Sequence, residues 1–182
     1  MLKSALLLIN VQNDYFTGGK TPLRGVEDTL SPIKTALAKF REMNLPVIYT
    51  QYINDREGAP SHWDGTAGIE IHKDIAPIEG EYVIKTEYYD CFTNSELLKV
   101  ITDNHIKRLV ICGMPVNTSI DFTVRAAREV HNICFLTILY DACAAIEVKF
   151  REEIIPAQTI HTVCMANMGT YLNVINTDDL FF

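Results

Sequence analysis

The sequence predicts an α/β protein, a three-layer αβα sandwich around a mostly parallel sheet. Three observations predict it. Short apolar runs recur along the chain, among them LLLI at 6–9, RLVIC at 108–112 and ICFLTIL at 133–139. Segments with helical spacing separate them. The runs are unbroken rather than alternating, as strands are when helices cover both faces of a sheet.

Taken in order, LLLI is the first strand. Val26, Leu30, Ile33, Leu37 and Phe40 follow at steps of four and three, which predicts a helix with one buried face. Pro46 closes that segment, and PVIYT (46–50) reads as a strand. Residues 51–80 form one long irregular segment, and Trp63, Ile69 and Ile71 within it predict a packed flap. YVI (82–84) is the next strand. Thr93 with Glu96 reads as a capping box that opens a helix through about Ile101. RLVIC is followed by Gly113 and by a helix marked by Ile120, Val124 and Ala127. After ICFLTIL, residues 147–166 read as helical with an interruption at Pro156, and YLNVI (171–175) as a last strand.

The length, 182 residues, suits one domain over 1–182, and 48% apolar residues suffice for a core. The net charge is −7, with no Lys/Arg run, which argues against nucleic acid as a partner. The apolar runs fall far short of the roughly 20 residues of a membrane span. The N-terminus lacks the features of a signal peptide, so a cytoplasmic protein is expected. Five cysteines (Cys91, Cys112, Cys134, Cys143 and Cys164) make an odd count without a CxxC pair, and they read as reduced thiols.

In parallel sheets, sites form beyond the carboxyl ends of the strands. Three such ends carry polar groups. The first strand runs into Asn10 and Gln12, YVI into Lys85, and RLVIC into GMPVNTSIDFT, where Ser119 stands at a helix start. An ammonium at one strand end and a hydroxyl at a helix N-terminus can bind or stabilise an anion.

Together these segments resemble the isochorismatase-like hydrolases, the cysteine hydrolase superfamily, over nearly the whole chain. The resemblance lies in LLLINVQNDYF, VIKTEYYDCFTNSEL, LVICGMPVNTSIDFTVRAA and ILYDACAA, in that order and spacing. It implies a Rossmann-like fold, hydrolysis of an amide or related C–N bond in a small molecule, and a homo-oligomer. It also implies three catalytic positions, which fall on Asn10, Lys85 and Ser119. The family has Asp at the first and Cys at the third; only the lysine is kept. A carboxamide cannot accept the nucleophile's proton. A serine hydroxyl is barely ionised near neutrality and needs a strong base beside it, a part that Lys85 takes if desolvation keeps it neutral. The family's vinyl-ether route, with an Asp as proton donor, also fails with an amide at Asn10.

The functional expectation is therefore a hydrolase with a modified Asn10/Lys85/Ser119 triad. The alternatives are a catalytically silent member that binds a small anionic or carbonyl ligand, or a chain altered on purpose at two positions, since Asp to Asn and Cys to Ser are near-isosteric silencing changes. The plain readings stand beside these. Asn10 and Gln12 then satisfy backbone groups, Lys85 is a surface or ion-pair lysine, and Ser119 is a helix cap.

Met114-Pro115 falls where the family has its cis peptide, so a cis bond is expected there, aiming backbone N–H groups at the nucleophile as an anion hole. Gln12, Phe16, Gln51, Tyr89, Met114 and Pro115 are the expected substrate-binding residues, with Tyr52 and Trp63 as further apolar walls. Some relatives hold zinc through Asp-x-His after the second strand. Here that place reads TQYIND, and His62 and His72 lack ligand spacing, so neither metal nor other cofactor is expected. His105 and His131 read as solvated turn residues. The closing DDLFF places two Phe residues at the terminus, as an oligomer contact or a frayed end.

Overall fold

The computed structural model describes residues 2–133 and 135–181. The expectations for Cys134 and Phe182 lie outside the described residues. In chain order the strands are β1 (Ser4–Ile9), β2 (Val47–Tyr52), β3 (Tyr82–Thr86), β4 (Arg108–Gly113), β5 (Phe135–Cys143), β6 (Val148–Phe150), β7 (Glu153–Ile155) and β8 (Asn173–Ile175). The helices are α1 (Leu30–Glu42), α2 (Ser95–Asp103), α3 (Asp121–Arg125) and α4 (Ala157–Met168). One sheet has the order β3-β2-β1-β4-β5-β8, with every neighbouring pair parallel. The predicted sandwich is the observed one.

The central strands are apolar throughout because helices bury both of their faces. All six residues of β1 are buried. On one face α1 packs through Ile33, Ala36, Leu37 and Phe40, and its Arg41 reaches the Tyr49 hydroxyl of β2 at 3.2 Å. The next residue of β2, Thr50, points to the other face, where Cys91 and the helix of residues 116–130 lie.

Three local expectations change. α2 is capped by Asn94, whose Oδ1 accepts from the Glu96 amide at 2.9 Å; the Thr93 hydroxyl instead donates to the Asp90 carbonyl at 2.7 Å. Asn is as good a cap as Thr and stands one residue nearer the helix. Residues 148–155 are not helical. They form the antiparallel β6–β7 hairpin, which suits Val148, Phe150, Ile154 and Ile155, with Arg151 in the left-handed turn conformation (φ 56°). The last strand is shorter than YLNVI, at Asn173–Ile175.

The flap between β2 and β3 is packed at Ile69 as expected, and Ile71 is half-buried, whereas Trp63 is exposed. Ile69 and Ile75 are buried, Gln12 forms a single antiparallel bridge with Ile71, and Glu81 takes two hydrogen bonds from Arg41, at 2.7 and 2.8 Å.

Gly113 ends β4 with φ 124°. A Cβ there would overlap the Ile9 carbonyl oxygen. The closeness lets the Met114 amide donate to that oxygen at 2.8 Å, while the Gly113 carbonyl accepts from Ala144 at 3.2 Å. Gly113→Ala therefore combines a forbidden φ with a backbone clash, and is expected to lower stability by about 3 kcal/mol or more. Calorimetry reads this as a large fall in Tm; an unchanged Tm refutes the account.

Candidate functional site

The site begins where β1 stops. Asn10 leaves the strand with φ 51°, a conformation that Asn tolerates better than most residues. This turns its carboxamide toward β2 and the helix start. The side chain is fully buried. Its Oδ1 accepts from the Thr50 hydroxyl at 2.7 Å, and its Nδ2 donates to Ser119 Oγ at 3.0 Å. Thr50 Oγ1 in turn accepts from the Asn10 amide at 3.3 Å and from the Cys91 thiol at 3.6 Å. With those bonds accepted, the Thr50 proton goes to Asn10 Oδ1, and this fixes which end of the amide faces Ser119.

The result is a one-way neutral chain from Cys91 through Thr50 and Asn10 to Ser119. Burial pushes the Cys91 thiol up to about 11, opposed by its hydrogen bonding with Thr123 and Thr50, so it stays a protonated donor near neutrality. Ser119, itself completely buried, sits in a π-type turn, Val116–Ile120, that runs directly into α3. Among the described residues, the side chain that reaches its hydroxyl is a donor and not a base.

The expected convergence of three side chains thus holds for Asn10 and Ser119 and not for Lys85. Lys85 is in register with Gln51, whereas Ile84 is in register with Thr50. Successive side chains of a strand point to opposite faces, so Lys85 lies on the face opposite Thr50. Its side chain is 59% exposed, with the amine 3.4 Å from Asp64 of the flap.

The expected lining residues divide in the same way. Tyr89 lines a cavity of about 410 Å³ with Tyr15, Tyr52, His62 and Thr118, the residue before Ser119. Gln12 is structural: its Nε2 donates to the Tyr52 and Ile69 carbonyls, and its Oε1 accepts from the Tyr52 amide. Gln51 also donates to the Ile69 carbonyl, at 3.0 Å. Phe16 stacks on His72, with ring centroids 4.4 Å apart, and lines a separate hollow with Trp63. The Met114–Pro115 bond is cis. The anion hole expected there loses two donors, because the Met114 and Val116 amides bond to the Ile9 and Ala144 carbonyls, each at 2.8 Å. His131 is not free in solvent but stacks on Phe92, with centroids 4.7 Å apart. Among the described residues no group of three or more His, Cys, Asp or Glu stands at metal-holding distance, and no helix is long and apolar enough to cross a membrane.

Comparison with known proteins bears on this arrangement directly. The Isochorismatase domain model matches residues 4–157. The chain belongs to the isochorismatase family. The family protein YddQ of Bacillus subtilis is 35% identical, over 97% of this chain and 98% of that one. The ureidoacrylate amidohydrolase RutB of Cronobacter turicensis is 26% identical, over 68% of this chain and 67% of its own. An isochorismatase hydrolase structure from Oleispira antarctica superposes with a TM-score of 0.90 at 36% identity, covering 97% of this chain and 95% of the other.

Sequence reasoning missed the partners that hold this isochorismatase-family site together. Thr50 was readable as the hydroxyl that closes the second strand, beside Asn10. Asp14 and His62 were not, because they are 48 positions apart and meet only through the flap. The Asp14 carboxylate, 3% exposed, accepts from the Lys20 amide at 3.1 Å and from the His62 amide at 2.6 Å. Burial lowers the affinity of the His62 imidazole for a proton, opposed by Asp14. The unfolded chain then binds that proton more readily, so this term destabilises the fold as pH drops through the ordinary imidazole range, about 6.5, and below. His72 contributes with the same sign. Between pH 8 and 5, Tm is expected to fall more steeply in wild type than in His62→Asn; equal slopes refute it.

Proposed function

We propose that the protein hydrolyses an amide or related C–N bond of a small molecule, with the Ser119 hydroxyl meeting the carbonyl carbon. The observation that carries the reading is the buried Asn10–Ser119 contact at the carboxyl edge of the sheet, where the family places its reacting groups. The relative RutB is by name an amidohydrolase of ureidoacrylate, which supports the C–N class. In the step, Ser119 Oγ bonds to the carbonyl carbon, the C–N bond breaks and the hydroxyl proton passes to the departing nitrogen. Water then releases the acyl group as an acid and returns the proton to Oγ. Asn10 orients the hydroxyl without taking its proton, so proton transfer limits the rate.

One observation favours a second reading, capture without cleavage. Asn10 donates to Ser119, and Lys85 is held by Asp64 on the far face, so the charged partners of a nucleophile are missing. The same proposal takes residues 1–182 as one domain working in the cytoplasm as a homo-oligomer. The free buried thiols Cys91, Cys112 and Cys143 support a reducing compartment. Exposed Phe150 and Ile154 on the β6–β7 hairpin support an assembly.

Mass spectrometry of a small-amide panel decides between the readings. Hydrolysis predicts slow release of acid by wild type and loss in Ser119→Ala. It also predicts a gain of about 100-fold or more in Asn10→Asp/Ser119→Cys, which restores a base and a better nucleophile. Amides that raise Tm and are recovered intact establish capture instead. Release that persists in Ser119→Ala overturns the assignment of the reacting group.

A further inference from the structure

One buried hydroxyl near the site takes no part in the reaction scheme. Thr123 stands in α3, about one helical turn beyond Ser119. The helical threonines Thr35, Thr102 and Thr162 turn their hydroxyls back onto the carbonyls of Ser31, Leu98 and Gln158, at 3.1, 2.8 and 2.9 Å. Threonine inside a helix commonly does this. Thr123 instead reaches out of its helix. Its Oγ1 accepts from the Cys91 amide at 3.1 Å and donates to the Tyr89 carbonyl at 3.3 Å.

Cys91 carries that connection back to Ser119. Its thiol donates to Thr50 Oγ1, Thr50 donates to Asn10 Oδ1, and Asn10 Nδ2 donates to Ser119 Oγ, at 3.6, 2.7 and 3.0 Å. Ser119 and Thr123 stand a turn apart on one stretch of helix. The bonds therefore close a ring through Ser119, Asn10, Thr50, Cys91 and Thr123. None of these residues is more than 1% exposed, which shields the ring from water. Helix geometry alone does not set where Ser119 points. α3 lies between two π-type turns, Val116–Ile120 and Ala126–Val130, and such turns break the 3.6-residue period. Ile120 and Val124 pack into the core beside them, but apolar contact is non-directional. A hydrogen bond at Ser119 and another at Thr123 are directional, and together they fix the rotation of the turn.

We infer that Thr123 is a positioning residue: it closes the ring that holds the Ser119 hydroxyl on the Asn10 amide, acting through Cys91 and Thr50. Its hydroxyl grips the 89–91 segment at two points, one as acceptor and one as donor, so that segment cannot slide along α3. Loss of the hydroxyl leaves the Cys91 amide buried and unpaired, and the segment shifts to satisfy it. The thiol is then drawn off Thr50, and the turn is free to rotate Ser119 off Asn10. For turnover the inference rests on the reading of Ser119 as the reacting hydroxyl and deepens it. The placement of the pair holds without that reading.

The test uses the full chain and two variants of one residue. Thr123→Val keeps the branched shape and removes the hydroxyl; Thr123→Ser keeps the hydroxyl and removes the methyl group. Nitrogen-15 NMR reads the Asn10 carboxamide directly, and hydrogen exchange of its Nδ2 protons is compared with that of the Leu7 backbone amide inside the sheet. The comparison separates local release from loss of global stability. Thr123→Val is expected to speed Asn10 exchange relative to Leu7 by about tenfold or more, and Thr123→Ser to restore it. Thr35→Val, which removes a threonine bond inside α1, should leave the ratio unchanged. If Thr123→Val does not fold, Cys91→Ala opens the ring at the next member and carries the same expectation, with Cys91→Ser as its rescue. On any small amide that wild type cleaves, Thr123→Val should lower kcat by about tenfold or more and Thr123→Ser should recover it. An exchange ratio that stays at the wild-type value in the ring-opening variant, or that the serine variant fails to restore, overturns the inference. Release and recovery of Asn10 with no amide cleaved by any form sinks the hydrolase reading alone. Wild-type turnover that persists unchanged in Thr123→Val sinks this inference alone.

Discussion

The site depends on a backbone approach too close for any side chain. At the end of β4, Gly113 lies against the Ile9 carbonyl of β1, and the Met114 amide caps that oxygen at 2.8 Å. The pairing of β4 with β5 shifts register at the same place. Because the two strand ends are pressed together, the turn that follows passes directly over Asn10 and delivers Ser119 to within 3.0 Å of its amide. A β-carbon at residue 113 would overlap the Ile9 carbonyl and force the two strand ends apart. Asn10 and Ser119 meet here through a main-chain constraint before any side-chain chemistry enters.

What meets there is a matched pair. A carboxylate at position 10 would accept from its neighbour on β4's far turn; a carboxamide donates. Because Thr50 already donates to Oδ1, Nδ2 is the atom that faces Ser119, and a hydroxyl is a better acceptor for it than a thiol. The amide and the hydroxyl therefore satisfy each other, and Cys91, held protonated by burial, completes the chain at its far end. Four buried polar groups from four segments are paired without a net charge, which avoids the desolvation cost of a buried ion. The arrangement is a closed, uncharged hydrogen-bond chain at the carboxyl edge of the sheet.

Strand order and layers were legible in the sequence because the central strands are buried on both faces and read as unbroken apolar runs. The same feature hid the face that each residue takes. β3 is an edge strand, and its burial alternates, with Ile84 and Thr86 inside and Val83 and Lys85 outside. A motif places Lys85 at a strand end, but one residue of register separates the site face from the flap face. The hairpin was misread for a related reason: Val148, Ile154 and Ile155 are apolar at intervals that a helix also produces, and only the turn at Arg151 tells them apart. The pairing of Asp14 with His62 left no local signal, because it is made by a backbone amide in a positive-φ residue of an irregular loop.

The polar residues after β1 thus serve two separate ends. Asn10 faces the helix start. Four residues on, Asp14 faces the flap, where its two oxygens hold the Lys20 and His62 amides. Between them Gln12 ties β2 to the flap through the Tyr52 backbone and the Ile69 carbonyl. The left-handed His62 costs of order 1–3 kcal/mol unless its surroundings over-determine it, and a charge-assisted bond to a buried carboxylate is the strongest local means of doing so. The flap is therefore anchored at its strained point as well as through Gln12 and Glu81.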